Sequence, residues 1–554
     1  MTLGFLIRAL LAASAFLALA LPAQAATTLR IGVIGDVTSA HPDLQASSSS
    51  AMIGGLALRG LTYFDGNVEM ACAMCETLPT VANGGVVDAP TPAGEPGQKV
   101  RFRLKPGLAW DDGTPVTAQD VVLAWNLGRA PDSRYSWRSR LLDETVTATA
   151  IDTRTVEIHR RGRACIPSDF RFAALPSRIE GREVRSDFTG YAASSLYVRA
   201  PTTPGLYNGP YRVVEFAPDR QKVVLERNPR WSGPRPAYDR IELVHRPSAT
   251  TMAQALVAGE VDLLANAPLS VADEVARLAP GRFADIRREG RVLMQVALNQ
   301  DDPRLADVRV RRALLQAIDR PALAASFGPG TAPARSFVTA RFPWFAPTLD
   351  QAADPDAAAR LLEAAGWTPG PDGIRQDAQG RRLAFRLAVA TLHADKPFVA
   401  MIVEAWRRLG VQVTTEAFTG IGQLTAKAPP PLALFGYQLE GGRNVDFHVF
   451  GSRSIPKEGE VRNGLNIFRY RHAETDRIVD KLRDGCDPAE LATAYQALQR
   501  RVVEDLPLLP LFFQPEAHLL LPSMQPPSDR RAAYLLPQEV ETWRDQPVRR
   551  TKHP

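Results

Sequence analysis

The sequence predicts an α/β protein of two or three domains, and three observations carry that expectation. A strand, a turn and a capped helix follow one another between Val100 and Leu127. Strands and amphipathic helices then alternate from Val292 to Thr415, the order of an α/β lobe. The 554 residues are enough for a large core and for more than one domain.

In the first unit Val100, Phe102 and Leu104 alternate with Arg101, Arg103 and Lys105, the period of a half-buried strand. Pro106-Gly107 ends it, Trp110 follows, and Asp112-Gly113 supplies a turn. Thr117 stands at a helix N-cap, and Asp120 three residues on gives a variant of the capping box. Val121, Val122, Ala124 and Trp125 begin the apolar face of that helix. The run Trp110-Asp-Asp-Gly-Thr-Pro-Val-Thr-Ala-Gln-Asp-Val-Val122 resembles the signature of the family 5 extracytoplasmic solute-binding proteins. These are the peptide, nickel and oligopeptide receptors of ABC importers. The resemblance implies a periplasmic binding protein-like α/β fold (type II, cluster C), with two main lobes, an extra domain and hinge connections. The motif is structural in that family and does not name the ligand.

Composition is that of a globular protein: 45% hydrophobic and 23% charged residues exclude a disordered or fibrous chain. The formal charge is +6, but the 66 basic and 60 acidic residues are interspersed. There is no basic stripe with interleaved aromatics, so nucleic acid is not an expected partner. At the N-terminus Arg8 precedes the apolar run Ala9 to Leu21, and Ala23-Gln24-Ala25 offers a small-x-small cleavage site, the pattern of a secretory signal. The apolar run is short for the ~20 residues of a membrane span. No cysteine follows it to carry a lipid. The expectation is a signal over 1–25 and a soluble periplasmic protein starting at Ala26.

Cys72, Cys75, Cys165 and Cys486 allow three complete pairings, among which sequence cannot choose. Cys72-Ala-Met-Cys75 has redox-type spacing, but it lacks a thioredoxin-like βαβ context. An oxidising compartment favours structural disulfides. By the resemblance, Cys72, Cys75 and Cys165 share one lobe and at least two of them are bonded.

Leu29 to Ile34 is the expected first strand of the mature protein, ended by Gly35-Asp36, with a polar, Ser-rich loop from Asp43 to Ser50. Met52 to Leu61 reads as a short helix or a buried strand. Thr145 to Glu157 holds a strand pair. Asn208-Gly-Pro-Tyr211, Val213-Val214 and Gln221 to Arg227 form a hairpin-like unit closed by Asn228-Pro-Arg-Trp231. In the helix opening at Asp307, Val310, Ala313, Leu314, Ala317 and Ile318 share one face, with Arg309, Arg312 and Asp319 on a solvated side. Asp354-Pro355 opens a further helix that Gly366 closes. These segments resemble the family along nearly all of the mature chain. The implied domains are 26–60 with 205–290 and 511–554 as a discontinuous first lobe, 61–204 as the extra domain and 291–510 as the second lobe. Hinge strands are expected near 204–210 and 504–510.

No Gly-x-Ser-x-Gly elbow, His-Glu-x-x-His helix or Gly-x-x-x-x-Gly-Lys loop is present, and His448 and His472 are the nearest approach to a histidine cluster. No enzyme activity, cofactor or metal is expected. The remaining alternative is a secreted enzyme or thiol-dependent chaperone built on Cys72-x-x-Cys75. The resemblance implies a monomeric receptor that closes around a peptide or other small solute and delivers it to ABC permease subunits. Nickel complexes, haem, sugars and opines are further ligands of the family.

Ala433-Leu-Phe-Gly-Tyr-Gln-Leu-Glu440 reads as a buried strand running into a loop. It resembles the segment of dipeptide and oligopeptide receptors in which Gly-Trp precedes an Asp that pairs with the peptide α-amine. Tyr437 stands at the Trp position and Glu440 at the Asp position. Dipeptide receptors also carry an Arg for the ligand carboxylate, where this chain has Thr391-Leu-His-Ala-Asp-Lys396. The expected ligand-binding residues are therefore Gly436, Tyr437, Gln438 and Glu440, with Lys396 or His393 in place of the Arg, and Asp36 on the facing lobe.

Overall fold

The computed structural model describes residues 27–34, 37, 39–44, 48–65, 69–130, 132–133, 135, 141, 144–164, 166–184, 188–328, 331–349, 352–419, 423–424, 429–441, 444–445, 447–457, 465–524 and 537–543. The expected leader, Asp36 and Cys165 lie outside them.

Ten of the described strands form one sheet, in the order Gln412–Phe418, Ala384–Ala390, Leu432–Tyr437, Ala284–Leu298, Leu508–Leu520, Leu263–Ala267, Thr28–Ile34, Arg240–Arg246, Lys222–Arg227 and Tyr211–Ala217. Side-chain alternation builds two cores from one strand. Met294, Val296 and Leu298 pack on the face covered by the helices Val308–Gln316, Arg320–Phe327, Pro355–Ala364 and Pro397–Arg408. Leu293 and Ala297 pack on the other, under Ala473–Asp484 and Pro488–Asp505. Local signals set several helix ends. The Asp354 carboxylate accepts from Ala357 N at the start of Pro355–Ala364, and Gly366 follows that helix with a φ of 87°. Val310, Ala313, Leu314, Ala317 and Ile318 are buried as their spacing requires. The unexpected member is Arg311, only 4% exposed, whose guanidinium donates to the carbonyls of Leu305, Ala306 and Asp505.

Two long strands, Ala284–Leu298 and Leu508–Leu520, run side by side through the whole sheet. Their ladder pairs Ala284 with Leu520 through Glu289 with Pro515, breaks, and resumes from Leu293 with Phe513 to Ala297 with Leu508. At the break a Cβ on Gly290 would lie 2.1 Å from the Gln514 carbonyl oxygen, so only glycine fits. These strands carry the chain between the two halves of the sheet. The expected hinge segment 204–210 lies apart from these crossing strands. That segment is buried against the first-strand side of the molecule, with Gly209 N donating to Ala57 O at 2.9 Å and Asn208 Oδ1 accepting from Arg59 N at 2.8 Å. The expected hinge at 504–510 touches only the start of the second crossing strand.

A separate antiparallel sheet, Val86–Asp88, Gly97–Arg103, Thr155–Arg161 and Thr145–Ala150, is covered by the helix Ala118–Arg129. The capping-box reading is borne out. Asp120 accepts from Thr117 N at 2.8 Å, and it also takes Trp110 Nε1 and the backbone and hydroxyl of Ser177. Asp111, next to it in sequence, takes Gly205 N at 2.9 Å and Tyr207 N at 3.0 Å. Burial raises its carboxyl above the ordinary range. The motif thus stitches the small sheet to the return segment. Cys72 and Cys75 form a disulfide, Cα–Cα 5.1 Å, that closes a short rather than a moderate loop.

Among the described residues of the polar stretch after the first strand, His41, Asp43, Leu44 and Ser50 are buried rather than solvated. His41 is fully buried, with the rings of Tyr135, Tyr191 and Tyr197 5.3–5.7 Å away. Its Nδ1 accepts from Asp43 N and Leu44 N, which fixes the ring proton on Nε2, facing Tyr135 Oη at 3.4 Å. Loss of hydration holds the imidazole neutral down to about 3.

Candidate ligand-binding site

The strands Ala384–Ala390 and Leu432–Tyr437 are parallel, so their carboxyl ends lie at one end of the sheet, where open α/β sheets bind ligands. Apolar residues from Leu432 to Phe435 bury the second strand, which then emerges at Gly436 and Tyr437 beside the crossing strand, opposite Met294 and Leu293. Tyr437 is half-buried, edge-on to Phe435 at 6.2 Å, and Phe435 stands edge-on to Phe418 at 6.1 Å. An aromatic wall therefore stands at this strand end. Gln438 is exposed and Leu439 is 2% exposed. Glu440–Gly441 pairs with Asn444–Val445 in a two-residue ladder, so Glu440 follows the wall on ordered backbone. Its side chain and Asp36 lie outside the described residues.

Gly436 allows a close approach. A Cβ there would fall 2.8 Å from Val292 Cγ1 and 3.9 Å from Gln514 Oε1. The Gln514 amide oxygen, in the half-buried triplet Gln514-Pro515-Glu516 of the second crossing strand, thus lies beside Gly436 on the sheet face opposite Tyr437. Sequence reasoning missed this residue. The signal is the triplet itself, which with His518 interrupts an otherwise apolar run from Leu506 to Leu521.

The parallel neighbour Ala384–Ala390 leads into the turn Thr391–His393 and then the helix Pro397–Arg408. His393 is 4% exposed, edge-on to Phe398 at 5.9 Å. Burial, then the Lys396 charge, lowers its imidazole to about 4, so it brings no positive charge at neutral pH. Lys396 is exposed, with Nζ 3.3 Å from Asp395. Of the two residues expected to take the anchoring Arg's place, only Lys396 supplies a cation. His448 lies against Phe447 at 4.3 Å, and His472 is stacked on Tyr470 at 6.3 Å, 13° from parallel. Among the described residues no group of three or more His, Cys, Asp or Glu could hold a metal ion, and no helix is long and apolar enough to cross a membrane.

Residues 93–438 match the family model described as bacterial extracellular solute-binding proteins, family 5 Middle. The chain belongs to this family. It is a family of extracytoplasmic solute receptors of ABC importers rather than of enzymes. Protein XP55 of Streptomyces lividans is 26% identical over 87% of this chain and 82% of its own length. The oligopeptide-binding protein AppA of Bacillus subtilis is 21% identical over 89% and 87%. The oligopeptide-binding protein of Thermus thermophilus, solved with a pentapeptide, superposes with a TM-score of 0.73 at 18% identity, covering 90% of this chain and 92% of that one. The fold is thus the α/β fold of periplasmic binding proteins.

Proposed function

We propose that the receptor captures peptides where the two halves of the ten-stranded sheet meet, and closes on them by flexing at the crossing strands. The observation that carries this reading is the half-buried Tyr437 at the end of a buried strand that pairs with the crossing strand, whose ladder breaks at Gly290. AppA of Bacillus subtilis and the Thermus thermophilus protein are oligopeptide-binding by name, which supports peptide as the ligand class. Binding drives closure only if the ligand favours the closed state. The assigned lobes are 26–60 with 205–290 and 511–554, then 291–510, with 61–204 as the extra domain. Tyr437 forms the wall, the Gly436 backbone borders it, and Gln438 and Asp36 offer polar contacts. Glu440 receives the peptide α-amine and Lys396 its carboxylate. The chain is exported with cleavage after Ala25, acts as a soluble monomer without lipid, and catalyses no reaction.

Calorimetry with a free and an N-acetylated pentapeptide tests the site. Glu440→Gln leaves the ligand ammonium unpaired and lowers affinity for the free peptide by about 2–5 kcal/mol. The acetylated peptide binds weakly to both proteins. Equal affinities throughout would remove Glu440 from the site. A non-peptide solute found in the purified protein by native mass spectrometry would overturn the ligand class.

A further inference from the structure

The Cys72–Cys75 bond holds more than a loop. Met74, between the two cysteines, is 1% exposed, and its Sδ takes an N–H from Asn208 Nδ2 at 3.2 Å. Asn208 binds the backbone of Arg59 in both directions, with Oδ1 accepting from Arg59 N at 2.8 Å and Nδ2 donating to Arg59 O at 3.1 Å. The Leu61 carbonyl accepts from Ala73 N and Met74 N, at 3.0 and 3.3 Å. Lys105 N donates to Met74 O at 2.8 Å. The loop therefore plugs Met74 into the place where residues 57–61, 207–210 and the start of the small domain meet.

A bond between residues three apart removes little chain entropy from the unfolded state, so global stability is not its main effect. What it fixes is the loop that presents Met74. Its two sulfurs also differ in access, since Cys72 is half-buried and Cys75 fully buried. Lys105 Nζ donates to the Ala73 carbonyl at 2.9 Å, a further tie on the loop between the two cysteines.

We propose that Cys72–Cys75 is a thiol–disulfide exchange site for a dithiol reductant, and that its redox state sets how tightly the Asn208 junction is held. A reductant thiolate attacks Cys72 Sγ, breaking the Cys72–Cys75 bond, forming a mixed disulfide and releasing the Cys75 thiolate. The second reductant thiol then attacks its own sulfur in the mixed disulfide. The reductant leaves oxidised to its disulfide, and Cys72 and Cys75 have gained two electrons and two protons. With the loop open, Met74 loses its fixed approach to Asn208.

The test uses the purified full chain, oxidised or treated with dithiothreitol without denaturant, followed by thiol alkylation, peptide mapping and amide hydrogen exchange. Mapping should show a Cys72–Cys75 link before treatment and alkylation of both cysteines after it. Exchange at Arg59, Ala73, Met74 and Gly209 should rise by about tenfold or more, while Leu293 to Leu298 stays unchanged. Met74→Ala, with the disulfide intact, should show the same rise without reductant, and the Cys72→Ser, Cys75→Ser double variant should not respond to dithiothreitol. A disulfide that resists reduction until the chain unfolds, a link from either cysteine to Cys165, or reduction without faster exchange would each overturn the proposal. Reduced wild type and Met74→Ala keep it falsifiable if the double variant does not fold.

Discussion

Two junctions divide this molecule, and they are built in opposite ways. The halves of the large sheet are joined by two strands whose ladder breaks at Gly290 and whose facing residues, Gln514 to Glu516, are half-buried. The four-stranded sheet and the first-strand side share one hydrophobic core, and buried polar groups tie them together. Asp111 takes two backbone N–H groups, Asn208 clasps Arg59, and His41 sits inside three tyrosine rings. Breaking a buried hydrogen bond leaves a desolvated group unsatisfied, so the second junction resists opening. The proposed flexing of the first falls where the ladder is already interrupted. A receptor that closes on ligand needs one junction of each kind.

Trp110→Ala strikes the rigid junction hardest. The indole is 1% exposed and donates to Asp120, so its removal leaves a large cavity and an orphaned carboxylate lone pair. The expected loss is about 3–5 kcal/mol in urea unfolding. Acid comes next. The unfolded chain protonates His41 near 6.5, whereas the folded chain excludes that proton down to about 3. The His41 contribution is therefore intact above pH 6.5 and is lost as pH falls through that window, by about 1.4 kcal/mol per pH unit. His393, lowered to about 4, acts with the same sign. Urea midpoints between pH 7 and 4.5 should fall less steeply for His41→Asn, which keeps an acceptor but removes the titrating ring. Parallel curves would take His41 out of the account. Asn208→Ala has the smallest effect, about 1–3 kcal/mol, because it strands one N–H and one carbonyl of Arg59.

Features made by near neighbours were legible in the sequence. The Thr117–Asp120 cap, the Asp354 cap, Gly366 and the apolar face from Val310 to Ile318 each rest on residues a few positions apart. What was not legible is made at a distance. His41 stands just before the polar, Ser-rich stretch from Asp43 to Ser50, and it packs against a tyrosine whose sequence separation is 94 residues. The crossing strand was visible only from Val292 onward, because Ala284 to Arg291 carries five charged residues and gives no apolar stripe. Four cysteines could not name their own pairing. At the site, the aromatic at Tyr437 was readable from its strand, whereas Gln514 arrives from a partner strand that the chain reaches much later.

The flexing of the crossing strands is tested most directly by small-angle scattering of the full protein, with and without a pentapeptide at saturation confirmed by calorimetry. The account predicts a smaller radius of gyration in the bound state, as the two halves of the sheet close at Gly290 and Gln514. Identical scattering from free and saturated protein would contradict it.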